Sequence, residues 1–369
     1  MPSLRFVVPA RDAGPSGGDI YDAHVAAAWA REHGRADVVA LAGPWPRPGP
    51  VERRALARAL KTADPVLVDG LIGSSCPDEI EQAVGTGARV ALLVHLPLPA
   101  EIGLPPGEAG RFADAEARAV SAAFAVVATS EWSASDLARR YGRRDVIVAA
   151  PGALPAPVAA GSDPPHLLVL GALTATKNHT VLVPVLAALR DLPWQATFAG
   201  PAGVQPARAD RLVKDVRAAG LSDRIALPGA VTGSKLEVLW SRTDLLLVPS
   251  LVETYGLVVS EALAHGVPAV VAAKTGAAEA LIGTAPAAAA DSREDGHHPG
   301  AALDAPGPHA GSVVDPTDAG GWERILRTWL TAPAVRACWR AAALRRRQRL
   351  RAWTDTAADL RRGLFADGG

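Results

Sequence analysis

The sequence predicts an α/β protein made of two doubly wound parallel-sheet domains. Short, continuously apolar segments alternate with helical patterns in a first series: LRFVVP (4–9), DVVAL (37–41), PVLVDG (65–70), RVALLVH (89–95), FAVVATS (124–130) and DVIVAAP (145–151). Continuous apolar character is typical of strands that are buried on both faces of a parallel sheet. A second series has the same form: HLLVLG (166–171), QATFAG (195–200), RIALPG (224–229), DLLLVPS (244–250) and PAVVAA (268–273). Two such series predict two α/β units that face each other across a cleft.

A linker separates the two series. The segment PGALPAPVAAGSDPP (151–165) is rich in proline, alanine and glycine and has no helical or strand period. We therefore predict a first domain over 1–155, a second domain over 160–335, and C-terminal helices over 336–369 that cross back to the first domain. Within the second domain, the segment 285–311 lacks periodicity and predicts a mobile loop. A length of 369 residues suits two domains.

Composition excludes several kinds of partner. Lys plus Arg and Asp plus Glu both total 38, so a net charge of zero gives no support to nucleic acid as the main partner. Cys76 and Cys338 are the only cysteines, and their separation predicts neither a disulfide framework nor a paired-cysteine metal motif. No apolar run is long enough for a signal-peptide core or a membrane span. We expect a cytoplasmic protein with at most peripheral membrane contact.

The sequence also predicts no metal site and no cofactor. Ligand-type side chains occur in the Ala/Pro/Gly-rich segment, where a solvated loop is the better interpretation: Glu294, Asp295, His297, His298 and His309. No Asp-x-Asp pair occurs in the chain, so nothing indicates a divalent metal that bridges a diphosphate. Any catalysis is therefore expected to be metal-independent.

Two glutamates flank a tight turn in the stretch SLVETYGLVVSEALAHGVPAVV. Glu253 follows a strand, at the carboxyl end where open α/β sheets bind ligands. The segment from Gly256 to His265 reads as a helix, and its first amides, near Tyr255 to Val258, suit a phosphate. Glu261 lies one turn into this helix, where its carboxylate can accept hydrogen bonds from two ribose hydroxyls. From spacing alone, two ordinary surface acids are an equally good interpretation.

A lysine occupies the corresponding place in the first strand–loop–helix unit of the second domain. Lys177 follows HLLVLG and comes just before a predicted helix. At the carboxyl end of a strand, its charge could stabilise a departing diphosphate. A solvated lysine beside a helix start is about as good an interpretation when this residue is taken alone.

Together these motifs resemble the nucleotide-sugar half of GT-B glycosyltransferases of the large retaining family 4. The family signature E-G-F-G-x-x-x-x-E is matched by ETYGLVVSE (253–261). The signature G-R-L-x-x-x-K is matched in part by GALTATK (171–177), where Ala172 replaces the arginine. The resemblance implies a GT-B architecture, with Glu253 on the sugar hydroxyls and donor contacts from Lys177, Thr254, Tyr255, Gly256, Leu257 and Glu261.

The first domain extends the resemblance to nearly the whole chain outside 285–311. The segment GPSGGDIYDAHVAAAWA (14–30) is similar to the family's glycine-rich loop, which implies donor contact for Gly17 and Gly18 and an acceptor side that includes Asp19 and Tyr21. His95 resembles the family's cleft histidine, which contacts the transferred sugar. The segment TSEWSASDLARRYG (129–142) resembles the family's last loop–helix unit, so Ser130 and Glu131 are expected to face the cleft.

The resemblance therefore predicts an enzyme, a retaining glycosyltransferase of the hexosyltransferase type. It would move a sugar from a nucleotide diphosphate-sugar to a small-molecule, glycan or lipid-linked acceptor, with His95, Lys177 and Glu253 as catalytic residues. Two alternatives remain open at this stage: a nucleotide-sugar epimerase with a similar fold, and a non-catalytic protein that binds nucleotide sugars.

Overall fold

The computed structural model describes residues 3–10, 16–202, 205–283 and 309–365. The chain divides into two compact units, unit 1 (Met1–Gly152 with Arg351–Gly369) and unit 2 (Ala153–Leu350). Most of the segment predicted as a mobile loop, and with it Glu294, Asp295, His297 and His298, lies outside the described residues.

Unit 1 is a parallel sheet flanked by helices. Its described strands are β1 (Leu4–Pro9), β2 (Ala36–Leu41), β3 (Val66–Asp69), β4 (Val90–Val94), β5 (Ala125–Ala128) and β6 (Val146–Val148). Its helices are α1 (Gly17–Glu32), α2 (Pro50–Ala59), α3 (Gly70–Gly73), α4 (Pro77–Gly85), α5 (Glu108–Ala122), α6 (Glu131–Tyr141) and, from the chain's end, α14 (Trp353–Phe365). The strand order is β2-β1-β3-β4-β5-β6, so the direction of winding reverses between β1 and β3.

Unit 2 repeats this architecture. Its described strands are β7 (His166–Leu170), β8 (Gln195–Ala199), β9 (Ile225–Gly229), β10 (Leu245–Val248), β11 (Ala269–Ala272) and β12 (Gly311–Val314). Its helices are α7 (Leu182–Ala188), α8 (Pro206–Ala218), α9 (Ser234–Ser241), α10 (Leu257–Ala264), α11 (Gly276–Ile282), α12 (Ala319–Thr331) and α13 (Pro333–Arg347). The strand order is β12-β11-β10-β7-β8-β9, and all neighbours are parallel. Here the winding reverses between β7 and β10. The prediction of two doubly wound parallel sheets is confirmed.

The structure corrects two details of the sheets. The strand β2 was expected to be buried on both faces, but it lies at an edge of its sheet and Val38 is 52% exposed. The strand β12 was not predicted, because its four residues, Gly-Ser-Val-Val, are too few to show a period. It pairs with β11 and forms the opposite edge of the second sheet from β9.

The C-terminal helices divide between the two units, whereas the sequence assigned all of 336–369 to the first. Helix α13 stays with unit 2, where Ala342 and Ala343 enter the core and Arg347 donates hydrogen bonds to the carbonyls of Ala156 and Ala264, both at 2.7 Å. Only α14 packs on unit 1, where Thr356 donates to the carbonyl of Ala150 at 2.8 Å.

Candidate functional site

Lys177 and Glu253 meet at the carboxyl edge of the second sheet. Lys177 follows β7 and Glu253 follows β10, the two neighbouring strands between which the winding reverses. Nζ of Lys177 lies 2.5 Å from Oε2 of Glu253, and their side chains are 33% and 12% exposed. Because an ammonium carries three N–H donors, Lys177 can contact Glu253 and still donate to a ligand. Parallel α/β sheets bind ligands at such a reversal of winding.

Asn178 fixes the backbone that carries Lys177. Its φ of 53° is left-handed, a conformation that asparagine tolerates better than most residues. Its side-chain Nδ2 donates to the carbonyls of Pro249 at 3.1 Å and Pro316 at 3.0 Å. One amide group therefore joins the loops that follow three strands, β7, β10 and β12, and holds Lys177 in register with Glu253.

The turn after Glu253 packs against a second loop without space for a side chain. The amide of Gly276 donates to the carbonyl of Glu253 at 2.7 Å, and a Cβ at Gly276 would lie 2.0 Å from the carbonyl oxygen of Thr254. Gly256 has a φ of 84° and precedes α10, which has no side-chain cap. Val259 already donates its amide to the carbonyl of Gly256 at 2.8 Å, so the amides of α10 that could bind an anion are those of Leu257 and Val258.

The remaining residues of this turn differ in burial. Thr254 is buried, Tyr255 is partly buried, and Leu257 is the first residue of α10. The hydroxyl of Tyr255 accepts a hydrogen bond from Oγ of Ser260 at 3.3 Å. This bond connects the side chain of Tyr255 to α10.

Glu261 lies one turn into α10 in an environment that disfavours its charge. Burial, followed by the nearby charge of Glu237, raises the pKa of Glu261 to about 7. No hydrogen bond to its carboxylate oxygens is found within the described ranges of the chain. Hydroxyl donors would favour the ionised form, so a ligand with two adjacent hydroxyls would offset the effect of burial.

A second polar cluster lies at the carboxyl edge of the first sheet. Nε2 of His95, after β4, lies 2.9 Å from Oδ1 of Asp22 on α1 and 3.9 Å from Oδ2 of Asp69 at the end of β3. Both carboxylates are at least nine-tenths buried. Burial alone would lower the pKa of His95, but the charges of Asp22 and Asp69 and the hydrogen bond to Asp22 outweigh it and raise the pKa to about 9. His95 is therefore an imidazolium at neutral pH.

This cluster combines a hydrogen-bonded ion pair with side chains of metal-ligand type. Among the described residues, Asp22, Asp69 and His95 place one ligand-type atom each within 4.8 Å of one another, and Nε2 of His95 lies 2.9 Å from Oδ1 of Asp22. Burial, followed by the charge of Asp22, raises the pKa of Asp69 to about 7. Asp69 is therefore partly protonated near neutral pH.

The structure brings some of the predicted first-domain residues together with His95. Gly17 and Gly18 were expected in a loop, but they form the first turn of α1 after Ser16 as the N-cap. A Cβ at Gly18 would lie 3.0 Å from the ring of His95, so this glycine allows helix and histidine to approach. Asp19 accepts a hydrogen bond from the amide of Ser16 at 2.6 Å in the capping box of α1.

Two residues assigned to the acceptor side are buried and hydrogen-bonded within unit 1. Tyr21 is 1% exposed, donates its hydroxyl hydrogen to the carbonyl of Ala149 at 2.8 Å, and packs edge-on against His95. Ser130 is fully buried as the N-cap of α6, where its hydroxyl accepts from the amide of Ser133 at 2.9 Å. Only Glu131, the next residue, is exposed.

Sequence reasoning missed Asp22 and Asp69, and a usable signal was present for both. Asp69 ends an otherwise apolar strand, at the carboxyl edge where functional groups collect. Asp22 lies four residues after Gly18 on the same helix, and therefore on the same helical face as the glycine that abuts His95.

Comparison with known proteins identifies relatives of this chain. The model of a family described as glycosyl transferases group 1 matches residues 153–294, which include Lys177, Glu253 and Glu261. Residues 153–294 therefore have the sequence pattern of group 1 glycosyl transferases. The chain is 31% identical over 265 residues, or 66% of its length, to a D-inositol 3-phosphate glycosyltransferase of Kineococcus radiotolerans. The chain spans 57% of the length of that relative. It is 35% identical to a protein of the same description from Salinispora tropica and spans 24% of that protein's length.

Solved structures match the chain over almost its full length. Sucrose-phosphate synthase from Thermosynechococcus elongatus has a TM-score of 0.74 at 20% identity and covers 99% of this chain and 100% of its own. Anabaena Alr3699/HepE in complex with UDP and glucose has a TM-score of 0.72 at 15% identity, over 98% of this chain and 100% of its own. These likenesses show the GT-B fold. In the part of the chain that the structure describes, every helix is too short or too polar to cross a membrane.

Proposed function

We propose that this protein is a retaining glycosyltransferase that moves a sugar from a nucleotide diphosphate-sugar to an acceptor without a metal ion. The observation that carries the proposal is the contact between Lys177 and Glu253 at the reversal of winding in the second sheet. Solved neighbours that hold UDP or UDP-glucose support a nucleotide-sugar donor, and UDP-sugars are the donors to test first. A cytoplasmic location is part of the proposal.

In this proposal unit 2 binds the donor. Lys177 contacts the diphosphate, the first amides of α10 contact phosphate or sugar oxygens, Glu261 accepts from the ribose diol and Glu253 from the sugar hydroxyls. The bond between the anomeric carbon and the phosphate oxygen breaks as Lys177 stabilises the charge that develops on the leaving group. Because Ala172 replaces the arginine of the family signature, the proposal relies on Lys177 for positive charge in this loop. Replacing Lys177 by alanine should therefore lower turnover by about 10²-fold or more.

Retention requires the acceptor oxygen to bond to the anomeric carbon on the face from which the phosphate departs. The departing phosphate oxygen then takes the acceptor proton, so no separate carboxylate nucleophile is needed. The protein contributes positioning and charge stabilisation. We assign the acceptor to unit 1, where the imidazolium of His95 can donate to an oxygen of the transferred sugar. The curated relatives make inositol 3-phosphate one acceptor to test.

Two experiments test the function. Thermal unfolding in the presence of UDP-, GDP-, ADP- and TDP-sugars identifies the donor, because a ligand that binds only the folded state stabilises it. Turnover is then measured for the intact chain, for Lys177→Ala, and for Lys214→Ala, which changes an exposed lysine of α8 in the same unit. We expect a severe loss only in Lys177→Ala. Near-normal transfer by that variant would overturn the role of Lys177 on the diphosphate.

The same assays separate the two alternatives. An epimerase would convert the donor sugar to its isomer in the absence of any acceptor. A non-catalytic binding protein would be stabilised by the donor but would neither hydrolyse it slowly nor transfer its sugar.

A further inference from the structure

A second lysine lies at the carboxyl edge of the second sheet. Lys274 comes two residues after β11, and β11 pairs with β10, the strand that precedes Glu253. On its other side β10 pairs with β7, the strand that precedes Lys177. Strand β10 is therefore flanked by two parallel strands, each of which is followed by a lysine. Both lysines lie at the edge where open α/β sheets bind ligands.

A hydrogen bond places the loop of Lys274 beside Glu253. The amide of Gly276, two residues after Lys274, donates to the carbonyl of Glu253 at 2.7 Å. The carboxylate of the same glutamate contacts Lys177. One short stretch of backbone therefore separates Lys274 from the pair of Lys177 and Glu253, and the flexible four-carbon stem of a lysine gives its ammonium reach beyond that backbone.

A second set of contacts links Lys274 to Lys177 from the side of β12. Nζ of Lys274 lies 3.9 Å from Oδ2 of Asp315, the residue that follows β12. The carbonyl of the next residue, Pro316, accepts a hydrogen bond from Nδ2 of Asn178 at 3.0 Å. Because Asn178 directly follows Lys177, the loops that carry the two lysines converge on the same short segment after β12.

Lys274 is only loosely held by Asp315. The distance of 3.9 Å between Nζ and Oδ2 exceeds the length of a hydrogen bond, and the two side chains are 73% and 44% exposed. Asp315 has closer partners in Thr317, whose amide and hydroxyl donate to Oδ1 at 3.0 and 2.7 Å. Exposed ion pairs contribute little to stability. The ammonium of Lys274 can therefore leave Asp315 for a more highly charged anion at little cost.

The backbone of Lys274 is strained, with a φ of 57° in the left-handed region. Glycine adopts this region without steric penalty, whereas a lysine there costs stability. Among the residues that the structure describes, the non-glycine residues with such a φ are Asn178 and Lys274, and the contacts above bring their loops together. Strained backbone concentrates at binding and catalytic sites. The position therefore favours a role for the lysine side chain that a glycine could not fill.

The charge of Lys177 is already offset by a carboxylate. Its Nζ lies 2.5 Å from Oε2 of Glu253, and Ala172 adds no charge to the same loop. A nucleotide sugar carries negative charge on both phosphates, and the leaving group gains more as the bond to the anomeric carbon breaks. A second cation at this edge would offset that charge, and Lys274 can supply it.

We propose that Lys274 is a second cation for the diphosphate of the donor. Its ammonium leaves Asp315 and contacts the same diphosphate as Lys177, so that the donor is held from both sides of β10. The inference rests on the proposed glycosyltransferase function and adds a donor-binding residue to it.

The test is calorimetric titration of UDP, GDP, ADP and TDP into the intact chain, followed by titration of the tightest binder into three variants. These are Lys274→Gln, which removes the charge, Lys274→Arg, which keeps it, and Lys214→Gln, which changes an exposed lysine of α8. Lys274→Gln should bind at least about tenfold more weakly, because a charged hydrogen bond is lost. Lys274→Arg should retain most of the affinity, and Lys214→Gln should match the intact chain.

Ionic strength and urea unfolding separate a direct contact from a structural role. The difference in affinity between the intact chain and Lys274→Gln should shrink at high ionic strength, because salt screens the contact with phosphate. The two variants at position 274 keep the same backbone strain, and the side chain they change is 73% exposed, so both should unfold at the same urea concentration as the intact chain. Equal nucleotide affinity in Lys274→Gln and the intact chain would overturn the proposal. So would an equal loss in Lys274→Gln and Lys274→Arg, or a difference in affinity that does not change with salt.

The proposed function and this inference fail in different ways. If the intact chain binds none of these nucleotides, the proposed function fails and the role of Lys274 fails with it. If the intact chain binds a nucleotide and Lys274→Gln binds it equally well, only the inference fails. If the intact chain binds the nucleotide sugar but neither transfers nor hydrolyses it, the proposed function fails, and the comparison of Lys274→Gln with Lys274→Arg still decides whether Lys274 binds the diphosphate.

Discussion

Replacing Glu261 by glutamine should stabilise the free protein at pH 8 and weaken donor binding at the same time. The surroundings of Glu261 raise the pKa of its carboxyl from the ordinary 4.5 to about 7. The folded state therefore holds the proton more tightly than the unfolded state does. The contribution of the Glu261 carboxyl to stability is fully present below pH 4.5 and is lost as the pH rises through about 7. Glutamine carries no charge and has no such loss.

The size of the effect follows from the shift. A difference of about 2.5 pKa units, 7 minus 4.5, corresponds to roughly 3 kcal/mol above pH 7. Because Glu261 is only partly buried, we expect about 1–3 kcal/mol at pH 8 and well under half of that at pH 5. The neighbouring Glu237 supplies the smaller cause, so Glu237→Gln should stabilise less.

The assay is urea unfolding of the intact chain, Glu261→Gln and Glu237→Gln at pH 5 and pH 8. Nucleotide binding is titrated in parallel at pH 8, where Glu261→Gln should bind at least tenfold more weakly if the carboxylate accepts from the ribose. The difference in free energy of unfolding between Glu261→Gln and the intact chain should be larger at pH 8 than at pH 5. The same difference at both pH values would refute the reasoning. So would stabilisation at pH 8 without any loss of nucleotide affinity, since the acid would then have no role in binding.

Three further predictions concern the two clusters. In Asp22→Asn, the pKa of His95 should fall clearly below about 9 in an NMR titration, because the closest negative charge is removed; an unchanged value would contradict the cluster. Asn178→Ala removes two hydrogen bonds to carbonyls and should reduce the free energy of unfolding by about 1–3 kcal/mol, with slower turnover, measured by urea unfolding and steady-state kinetics. Gly276→Ala places a Cβ 2.0 Å from a carbonyl oxygen and should abolish nucleotide binding in a titration, whereas Gly85→Ala, with open space around it, should bind normally.

Much of the fold followed from local sequence pattern. Each predicted strand segment contains an observed strand, because a short apolar run between helical patterns has few other structures available in an α/β chain. The pattern does not report position within a sheet, which is why exposure of Val38 on β2 was not foreseen. It also fails for very short elements such as β12, where four residues carry no periodicity.

The candidate site was predictable where it depends on strand order and less so where it depends on side-chain packing. Lys177 and Glu253 each follow a strand, and the rule that ligand groups collect at carboxyl ends placed them at the same edge. The burial of Tyr21 and Ser130 depends on contacts with residues far along the chain or on a cap, and sequence patterns do not contain that information. Asp22 pairs with His95 across 73 residues, which only the folded sheet brings together.

The central claim is that Lys177 binds the diphosphate of a nucleotide sugar in unit 2. Calorimetric titration of the nucleoside diphosphate and the matching monophosphate into the intact chain, Lys177→Ala and Lys214→Ala at pH 8 tests it most directly. We predict that Lys177→Ala binds the diphosphate at least tenfold more weakly, that its affinity for the monophosphate changes little, and that Lys214→Ala matches the intact chain. Equal diphosphate affinity in Lys177→Ala and the intact chain would contradict the claim.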